Sequence, residues 1–351
     1  MVLLRESEST ISTIIDETFV DRIDILKTRK MKTLYFSCIC FIMSCQIATA
    51  QDNPKKYLEE AIGIMKQNSV NKGKVDWDKL TKEAMDSLTD KKTNEEVYPI
   101  IVNAIEKLGD YHSKFILPEI VEAYMKSYQE QGFDFPYPED SLIDGRLAYI
   151  TLPAIGNLNK EDWKLYVGDF YQKIQLLDAK NPKAWLIDLR ENDGGMFSPM
   201  FQAIQPFLDT KKVIGSKDQN GQISYFTSRN DAIFFGSQLI ATINIPTIKL
   251  KNKDIPVFIL VSKKTASSGE FVAASFVGQK NATITGVNTQ GLTSDNSDFR
   301  LSDGAILILT TGNLVDRKGN EYSEIGKGIS PEINVKTDEL TDYINAVKGK
   351  L

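Results

Sequence analysis

The 351-residue sequence predicts an α/β protein with a small helical domain on its N-terminal side. Helical periodicity dominates the chain up to about residue 128, and strand-like and helix-like segments alternate after residue 140. The later strands are mostly apolar, and residues 257–261 are apolar throughout, which is typical of a parallel sheet covered by helices on both faces. Turn-forming residues at 131–140 mark a boundary. The sequence therefore predicts a helical domain at residues 51–130 and an α/β domain at residues 131–351.

The helical domain is predicted from apolar residues at helical spacing. The first helix has one apolar face made of Tyr57, Leu58, Ala61, Ile62 and Met65. The second helix has a similar face made of Trp77, Leu80, Ala84, Met85 and Leu88. A third helix is expected to begin at the capping-box sequence of residues 93–96, although Pro99 favours a later start.

The α/β domain is predicted from apolar runs that are separated by one long amphipathic helix and by shorter ones. The long helix is expected at residues 160–177. Strands are expected at residues 147–152, 184–189, 257–261, 282–287 and 305–310. Strands that alternate with helices in this way indicate a layered α/β arrangement.

Residues 1–50 are predicted to be a leader outside the folded domains. Its second part, residues 31–50, has a lysine, a short apolar run and an A-x-A end, as secretory signal peptides do. The run is too short to span a bilayer. We therefore expect export to the periplasm, the medium or the outer membrane of a bacterium. The sequence around Cys45 loosely resembles a lipidation site, so a lipid anchor through Cys45 is the alternative to a free exported protein.

Composition excludes several classes of chemistry. All three cysteines lie in the leader, so the mature chain has no thiol for a disulfide, a zinc site or nucleophilic attack. The net charge of −5 gives no indication of a nucleic-acid partner. The sequence predicts no cofactor and no metal, and leaves the oligomeric state open.

Ser267 is the candidate nucleophile because it lies where a buried strand passes into a helix. The strand at residues 257–261 is apolar, and a helical pattern begins at Glu270. A hydroxyl at such a junction lies beside the unpaired N–H groups of the first helical turn, where developing negative charge is stabilised. The amide of Ser268, the next residue, is therefore a candidate donor to an oxyanion.

A serine hydroxyl needs a base to take its proton, and His112 is the sole histidine of the chain. It is expected in a loop after a helix end, from which it can reach another element. A second predicted loop carries Gly194 and Gly195 after a buried strand, and glycine lets the backbone turn an N–H into a site. We therefore predict His112 as the base and Gly194 or Gly195, with Ser268, as oxyanion donors.

Four motifs follow one another along the chain. They are LIDLRENDGG at 186–195, TASSGE at 265–270, GVNTQG at 286–291 and GISPEI at 328–333. Their order resembles that of the tail-specific, or C-terminal-processing, serine peptidases. The resemblance implies a crotonase/ClpP-like spiral of strands and helices with a small N-terminal helical domain. It also implies that Ser267 is the nucleophile and that the glycine loop supplies an oxyanion donor.

The chain departs from the better-known branch of that family, whose base is a lysine 25 residues after the serine. Leu292 occupies this position and accepts no proton. The sequence LGDYHS at 108–113 is similar instead to the branch of the tricorn core and the retinoid-binding repeats, whose peptidases use a histidine. There a glutamate near the C-terminal motif completes the site. Glu324 is the candidate for this acid, with Glu321 as the alternative.

Only residues 113–146 separate the histidine from the first predicted strand, too few for the PDZ domain that processing peptidases insert. Short or unfolded polypeptides are therefore the expected substrates. The first hypothesis is an exported serine peptidase that forms an acyl-enzyme on Ser267 with His112 as base. The alternative is a catalytically inactive protein that binds a peptide or an apolar ligand on the same fold, and a third hypothesis is an esterase.

Overall fold

The computed structural model describes residues 52–351, so the predicted leader, its signal peptide and Cys45 lie outside the described residues. The helices are α1 (Pro54–Asn68), α2 (Trp77–Asp86), α3 (Tyr98–Glu106), α4 (Pro118–Met125), α5 (Tyr128–Gln131), α6 (Lys160–Asp178), α7 (Phe197–Ile204), α8 (Ser268–Phe276) and α9 (Leu340–Lys348). Short 3₁₀ turns at Glu95–Val97 and Gln205–Phe207 adjoin α3 and α7.

The strands form two sheets. In chain order they are β1 (Lys114–Ile116), β2 (Asp140–Ile143), β3 (Leu147–Thr151), β4 (Ala184–Asp188), β5 (Ile214–Asp218), β6 (Ile223–Arg229), β7 (Ala232–Phe235), β8 (Gln238–Thr242), β9 (Val257–Val261), β10 (Ala282–Gly286), β11 (Ser294–Arg300), β12 (Ile306–Asp316), β13 (Glu321–Tyr322) and β14 (Ile333–Asn334). The predicted α/β class is confirmed.

The first sheet has six strands in the order β14-β10-β9-β4-β3-β2, and every pair except β2 with β3 is parallel. All five residues of β4 and all five of β9 are buried. Helices α6, α7 and α8 contribute to the core on one face, and α9 packs its buried Tyr343 and Val347 against the other. Burial on both faces explains why β9 is apolar throughout and why β4 is apolar up to Asp188 at its end.

The second sheet is antiparallel and is organised around the long strand β12. Its main order is β1-β12-β5-β6-β7-β8, and β11 and β13 also pair with β12. Strand β1 follows the loop that carries His112, and β11 begins at Ser294. Because β1 and β11 both pair with β12, the segments that contain His112 and Ser294 belong to the same sheet region.

The N-terminal helices share a core with this second sheet. The predicted inner face of α1 is buried, and it packs in one cluster with Leu307 and Leu309 of β12. Helix α3 begins at Tyr98, later than the capping box, because Pro99 lies in its first turn, where a missing N–H costs no hydrogen bond. The division into domains at residue 130 stays a prediction.

The strands from β5 to β8 and strand β11 are not predicted from the sequence. Their burial follows no regular alternation, and Ile223, Leu239 and Ile240 are exposed. Cross-strand pairing, which a local pattern does not reveal, is what holds such strands. Among residues 52–351, no helix has both the length and the apolar character that crossing a membrane requires.

Candidate active site

The candidate site forms at the carboxyl edge of the six-stranded sheet. Strands β4 and β9 are parallel neighbours, with Asp188 in register with Leu260, so the loops that follow them meet. The loop after β4 contains Asn192, whose carbonyl accepts a hydrogen bond from the N–H of Ala266 at 3.0 Å. This contact joins the predicted glycine loop to the residue just before Ser267.

Ser267 is held in a backbone conformation that side-chain-bearing residues rarely adopt. Its φ is +48° and its ψ is −119°, and α8 begins at the next residue. Such a conformation costs on the order of 1–3 kcal/mol and clusters at functional sites. The N–H of Ser267 donates to Glu270 Oε2 at 3.0 Å, which helps to hold the turn. The sharp turn from strand to helix presents the hydroxyl at the edge of the sheet.

Both glycines of the predicted loop are required by close approaches. Gly194 has φ +123°, and a Cβ there would lie 2.9 Å from the Cβ of Ser267. Gly195 has φ +90°, and a Cβ there would lie 2.3 Å from the carbonyl oxygen of Ile155. Neither position has room for a side chain, so the backbone itself lines the space next to the serine.

The two predicted glycine donors differ in their hydrogen bonds. The N–H of Gly194 donates to the buried Asn192 side chain at 3.1 Å. The N–H groups of Gly195 and Ser268 donate to no other group among residues 52–351. The two residues are also linked, because Ser268 Oγ donates to the Gly195 carbonyl at 2.7 Å. The pair with available N–H groups is thus Gly195 and Ser268.

Glu270 is a residue of this site that the sequence analysis did not assign a role. Its buried carboxylate accepts hydrogen bonds from the N–H groups of Ser267 at 3.0 Å, Gly291 at 2.8 Å and Leu292 at 2.7 Å, and from the Thr289 hydroxyl. Burial raises the pKa of Glu270, while these hydrogen bonds act to lower it. The spacing S-x-x-E at a helix start, a capping-box pattern, was the available signal.

His112 lies in the loop between α3 and β1. Asp110, which is buried, accepts hydrogen bonds from the N–H of His112 at 3.0 Å and from the N–H and hydroxyl of Ser113 at 2.8 and 2.7 Å. The Ser113 hydroxyl in turn accepts from the N–H of Thr310 at 2.9 Å. Asp110 thus folds the loop and ties it to β12, but it makes no hydrogen bond to the imidazole.

The structure brings His112 and Ser267 together although 155 residues separate them. His112 Nε2 lies 3.4 Å from Ser267 Oγ, which is within hydrogen-bond reach. Burial, and secondarily the charge of Lys114, lowers the pKa of His112 to about 4, with Asp110 acting in the opposite direction. The imidazole is therefore neutral at pH 7, the form that can accept a proton from a hydroxyl.

The structure does not bring the predicted acid to the histidine. Glu324 pairs with Lys327 at 2.9 Å, and its side chain is 72% exposed. The alternative, Glu321, pairs with Lys217 at 2.8 Å. His112 Nδ1 instead lies 2.6 Å from Ser294 Oγ. The sequence analysis missed Ser294, because a serine in a polar strand carries no local signal of such a contact.

No lysine takes the place of the histidine among the described residues. The backbone N–H of Leu292 is bonded to Glu270, and the nearby lysines point to other partners. Lys263 donates to the Thr289 carbonyl and Lys264 pairs with Glu191. In residues 52–351, no three histidine, cysteine, aspartate or glutamate side chains are grouped so as to hold a metal ion.

A cleft of about 660 Å³ opens beside Ser294. Its walls come from the loop after α1, from the turn between β5 and β6, and from the segment around β13. Asn313, which lies opposite Ser294 in the sheet, also lines it. Asp110 and Ser294 line this cleft, whereas Ser267 and His112 do not, so it adjoins the histidine loop and not the nucleophile.

Several known proteins are similar to this chain over much of its length. Residues 146–335 match the model of peptidase family S41. The nisin-resistance protein of Lactococcus lactis subsp. lactis is 28% identical over 284 residues, which are 80% of this chain and 83% of that protein. The chloroplastic carboxyl-terminal-processing peptidase 2 of Arabidopsis thaliana is 28% identical over 155 residues, which are 44% of this chain but only 27% of that peptidase.

One solved structure, described as a lipoprotein from Streptococcus agalactiae, superposes with a TM-score of 0.69 at 26% identity. The superposition covers 85% of this chain and 97% of that one. The family model spans more than half of the chain and includes the loops that carry Gly194, Gly195 and Ser267. The predicted resemblance is thereby confirmed at the level of the family, and the chain belongs to peptidase family S41, whose members are serine proteases.

Proposed function

We propose that this chain is an exported serine peptidase that hydrolyses peptide bonds in short or unfolded polypeptides. The observation that carries the proposal is the approach of His112 Nε2 to Ser267 Oγ at 3.4 Å, between residues that lie far apart in sequence. The backbone strain at Ser267 supports it, because such strain is kept mainly where a function requires it.

In the first step His112 Nε2 takes the proton of Ser267, and the Oγ forms a bond to the peptide carbonyl carbon. The electron pair of the carbonyl moves to its oxygen. The contact of 3.4 Å shortens as the substrate fills the site, as catalytic hydrogen bonds commonly do. A neutral imidazole at pH 7 is the protonation state that this step needs.

The N–H groups of Gly195 and Ser268 are the proposed donors to the oxyanion, since neither has another acceptor among residues 52–351. Gly194 drops out as a donor, because its N–H is bonded to Asn192. Collapse of the intermediate breaks the C–N bond, and the imidazolium gives its proton to the leaving amine. Water, deprotonated by His112, then hydrolyses the ester on Ser267.

Short or unfolded polypeptides are the proposed substrates because no separate peptide-binding domain lies between His112 and β3. The intervening residues form β1, α4, α5 and β2. One relative is named for nisin resistance, and a peptide of that kind is a reasonable first substrate to assay.

The test is activity-based labelling with a fluorophosphonate, together with cleavage of an unfolded protein substrate, for the wild type and two variants. We expect Ser267→Ala and His112→Ala each to abolish labelling and cleavage. Ser302→Ala, an exposed serine bonded to Glu60, is the matched control and should behave as the wild type. Undiminished labelling of Ser267→Ala would refute the assignment of the nucleophile.

A non-catalytic binding protein on the same fold is the second candidate function. It is favoured because no carboxylate among residues 52–351 bonds the His112 imidazole and because Leu292 is at the position of the family's lysine. Wild-type protein that neither reacts with the probe nor cleaves, yet binds a peptide or an apolar ligand tightly, would establish it. Cleavage of esters but not of peptides would indicate the esterase.

Export and a lipid anchor are further parts of the proposal, and they depend on residues 31–50. The streptococcal structure that superposes on this chain is described as a lipoprotein, which supports an anchor through Cys45. Expression of the full chain in a bacterium, followed by fractionation and fatty-acid labelling, tests both parts. Loss of label in Cys45→Ala is expected, whereas a cytoplasmic full-length product would contradict export.

A further inference from the structure

The contact between His112 Nδ1 and Ser294 Oγ, at 2.6 Å, is the shorter of the two hydrogen bonds made by the imidazole. Ser294 is the first residue of β11 and lies opposite Asn313 of β12, 182 residues after the histidine. The sheet therefore holds this hydroxyl at the ring nitrogen that faces away from Ser267. A group in that place decides which ring nitrogen carries the proton.

Each nearby carboxylate is occupied by other groups. Asp110 accepts from the N–H of His112 and from Ser113, Glu270 accepts from the N–H of Ser267 and from the 289–292 loop, and Asp295 bonds Ser216. Glu321 bonds Lys217 and Asn313, and Glu324 bonds Lys327. None of them bonds the imidazole among residues 52–351. The hydroxyl of Ser294 is the group that stands where an acid would orient the base.

We propose that Ser294 is the positioning residue of the base, with its hydroxyl in place of an orienting carboxylate. The proposal rests on the proposed function for its kinetic part. Ser294 Oγ accepts a hydrogen bond from Nδ1–H of His112, which leaves the lone pair of Nε2 directed at Ser267. The proton of the Ser294 hydroxyl is then free to turn toward the adjoining cleft, which Ser294 lines.

A neutral orienting group has a chemical consequence. When His112 accepts the proton of Ser267, a hydroxyl stabilises the imidazolium less than a carboxylate does. The charged groups that act on the ring are Lys114 and Asp110 on its own loop. The neighbouring elements also carry Asp295, next to Ser294 on β11, and Glu270 on α8, and the adjoining cleft is lined by Lys74, Lys217, Asp218 and Glu321. With no ion pair to the ring, the imidazole stays neutral in more acidic solution than an acid-paired histidine does.

The proposal can be tested without activity, because His112 is the sole histidine of the sequence. Tag-free, ¹⁵N-labelled protein gives one imidazole in a long-range ¹H–¹⁵N correlation spectrum, and its two nitrogen shifts identify the tautomer. We expect the Nδ1–H tautomer in the wild type and in Ser294→Thr, which keeps the hydroxyl. Ser294→Ala should populate both tautomers. An Nε2–H wild type, or an unchanged spectrum in Ser294→Ala, would overturn the proposal.

Kinetics supply the second readout. Loss of a hydrogen bond to a charged group predicts a roughly 10- to 100-fold lower kcat in Ser294→Ala with little change in KM. Ser294→Asp should move the acid limb of the pH–rate profile to higher pH. Ser297→Ala is the control on the same strand, since its hydroxyl bonds Thr311 instead. An unchanged kcat in Ser294→Ala, or an unmoved acid limb in Ser294→Asp, would contradict a positioning role.

The two readouts separate the proposals. If the wild type is inert but shows the Nδ1–H tautomer, and that preference is lost in Ser294→Ala, the proposed peptidase fails while the positioning contact holds. If the wild type is active and Ser294→Ala keeps both the tautomer and kcat, the positioning role fails and the peptidase stands. Circular dichroism of each variant verifies that it is folded.

Discussion

Ser267 is held by loops that meet at the carboxyl edge of the parallel sheet, whereas His112 is held by its own loop and by Ser294 of the antiparallel sheet. The serine half of the site has close backbone approaches, and its buried Glu270 carboxylate accepts hydrogen bonds from four donors. This half comprises Asn192, Gly194, Gly195, Ser267, Ser268 and Glu270. The histidine half, comprising Asp110, His112, Ser113 and Ser294, has one short hydrogen bond to the ring and a loop tied by Asp110.

The difference concerns tolerance to change. In the serine half there is no free volume for a methyl group added at Gly194 or Gly195. Such a substitution therefore displaces the nucleophile and the oxyanion donors together. In the histidine half single polar contacts set the orientation of the ring, so changes there should alter the rate and its pH dependence more than the fold. The predictions below test that contrast, in order of decreasing effect.

The largest effect is expected for Gly195→Ala in the serine half. The new Cβ would lie 2.3 Å from the Ile155 carbonyl oxygen at φ +90°, so the proposed oxyanion donor must move. Loss of one such donor lowers kcat by roughly 10²- to 10³-fold. Gly73→Ala, where a Cβ meets nothing within 4 Å, is the control. Wild-type kcat in Gly195→Ala would remove Gly195 from the site.

A smaller but clear effect is expected for Glu270→Gln. A glutamine side chain has one acceptor oxygen and an amino group, so some of the four donors around it lose their partner. Each buried unsatisfied donor costs about 1–3 kcal/mol, and we expect both a lower melting temperature and a kcat reduced by about 10- to 100-fold. The exposed Glu122→Gln is the control. Unchanged stability would mean that the buried carboxylate does not hold the turn.

The pH dependence of kcat/KM tests the histidine half. Burial lowers the pKa of His112 to about 4, so the neutral base is present above that pH and is lost as the pH falls through it. We therefore expect an acid limb near pH 4, whereas an unperturbed histidine would give a limb near about 6.5. The profile should be measured between pH 3 and 9 with the folded fraction followed in parallel. An acid limb at pH 6 to 7 would contradict the lowered pKa of an imidazole that makes no ion pair.

Asp110→Asn should have a modest effect on the same half. The asparagine oxygen can still accept from the N–H groups of His112 and Ser113, but the bond from the Ser113 hydroxyl to a carboxylate is lost. Because the substitution removes one charge-assisted hydrogen bond, which folds the loop without touching the imidazole, we expect kcat to fall roughly fivefold to tenfold. Asp254→Asn, an exposed position, should leave kcat unchanged. A loss as large as that of His112→Ala would assign Asp110 a direct role.

The smallest effect is expected for Asp295→Asn, as a change in stability. Burial raises the pKa of Asp295 to about 6, above its ordinary value of 3.8, so the folded state binds the proton more tightly than the unfolded state. The associated stability is present below pH 3.8 and is lost as pH rises to 6. In urea unfolding, the free energy of unfolding of the variant relative to the wild type should rise by on the order of 1 kcal/mol between pH 4 and pH 7. A difference in unfolding free energy that does not change with pH would contradict the raised pKa of Asp295.

The elements of the serine half were predictable because each is specified by neighbouring residues, although the contacts that join them, such as Gly194 with Ser267, link segments far apart in the chain. A buried apolar strand, a serine and a helix start at residues 257–276 predict the turn that bears Ser267, and the GG pair predicts a backbone-lined space beside it. Strands β3, β4, β9 and β10 of the six-stranded sheet were predictable for the same reason, since strands buried on both faces are mostly apolar. Even Glu270 had a local signal in the capping-box spacing.

The sequence by itself determined the α/β class, the position of Ser267, the glycine loop and the identity of the sole histidine. The tertiary structure decided which groups meet that histidine. Pairing of both β1 and β11 with β12 brings Ser294 to the ring, and Glu324 pairs with Lys327 instead. The tertiary structure also decided that Gly195, not Gly194, has the unpaired N–H. The physical reason is that turns and buried strands are specified by neighbouring residues, whereas the partner of a polar side chain depends on strand pairing across more than a hundred residues.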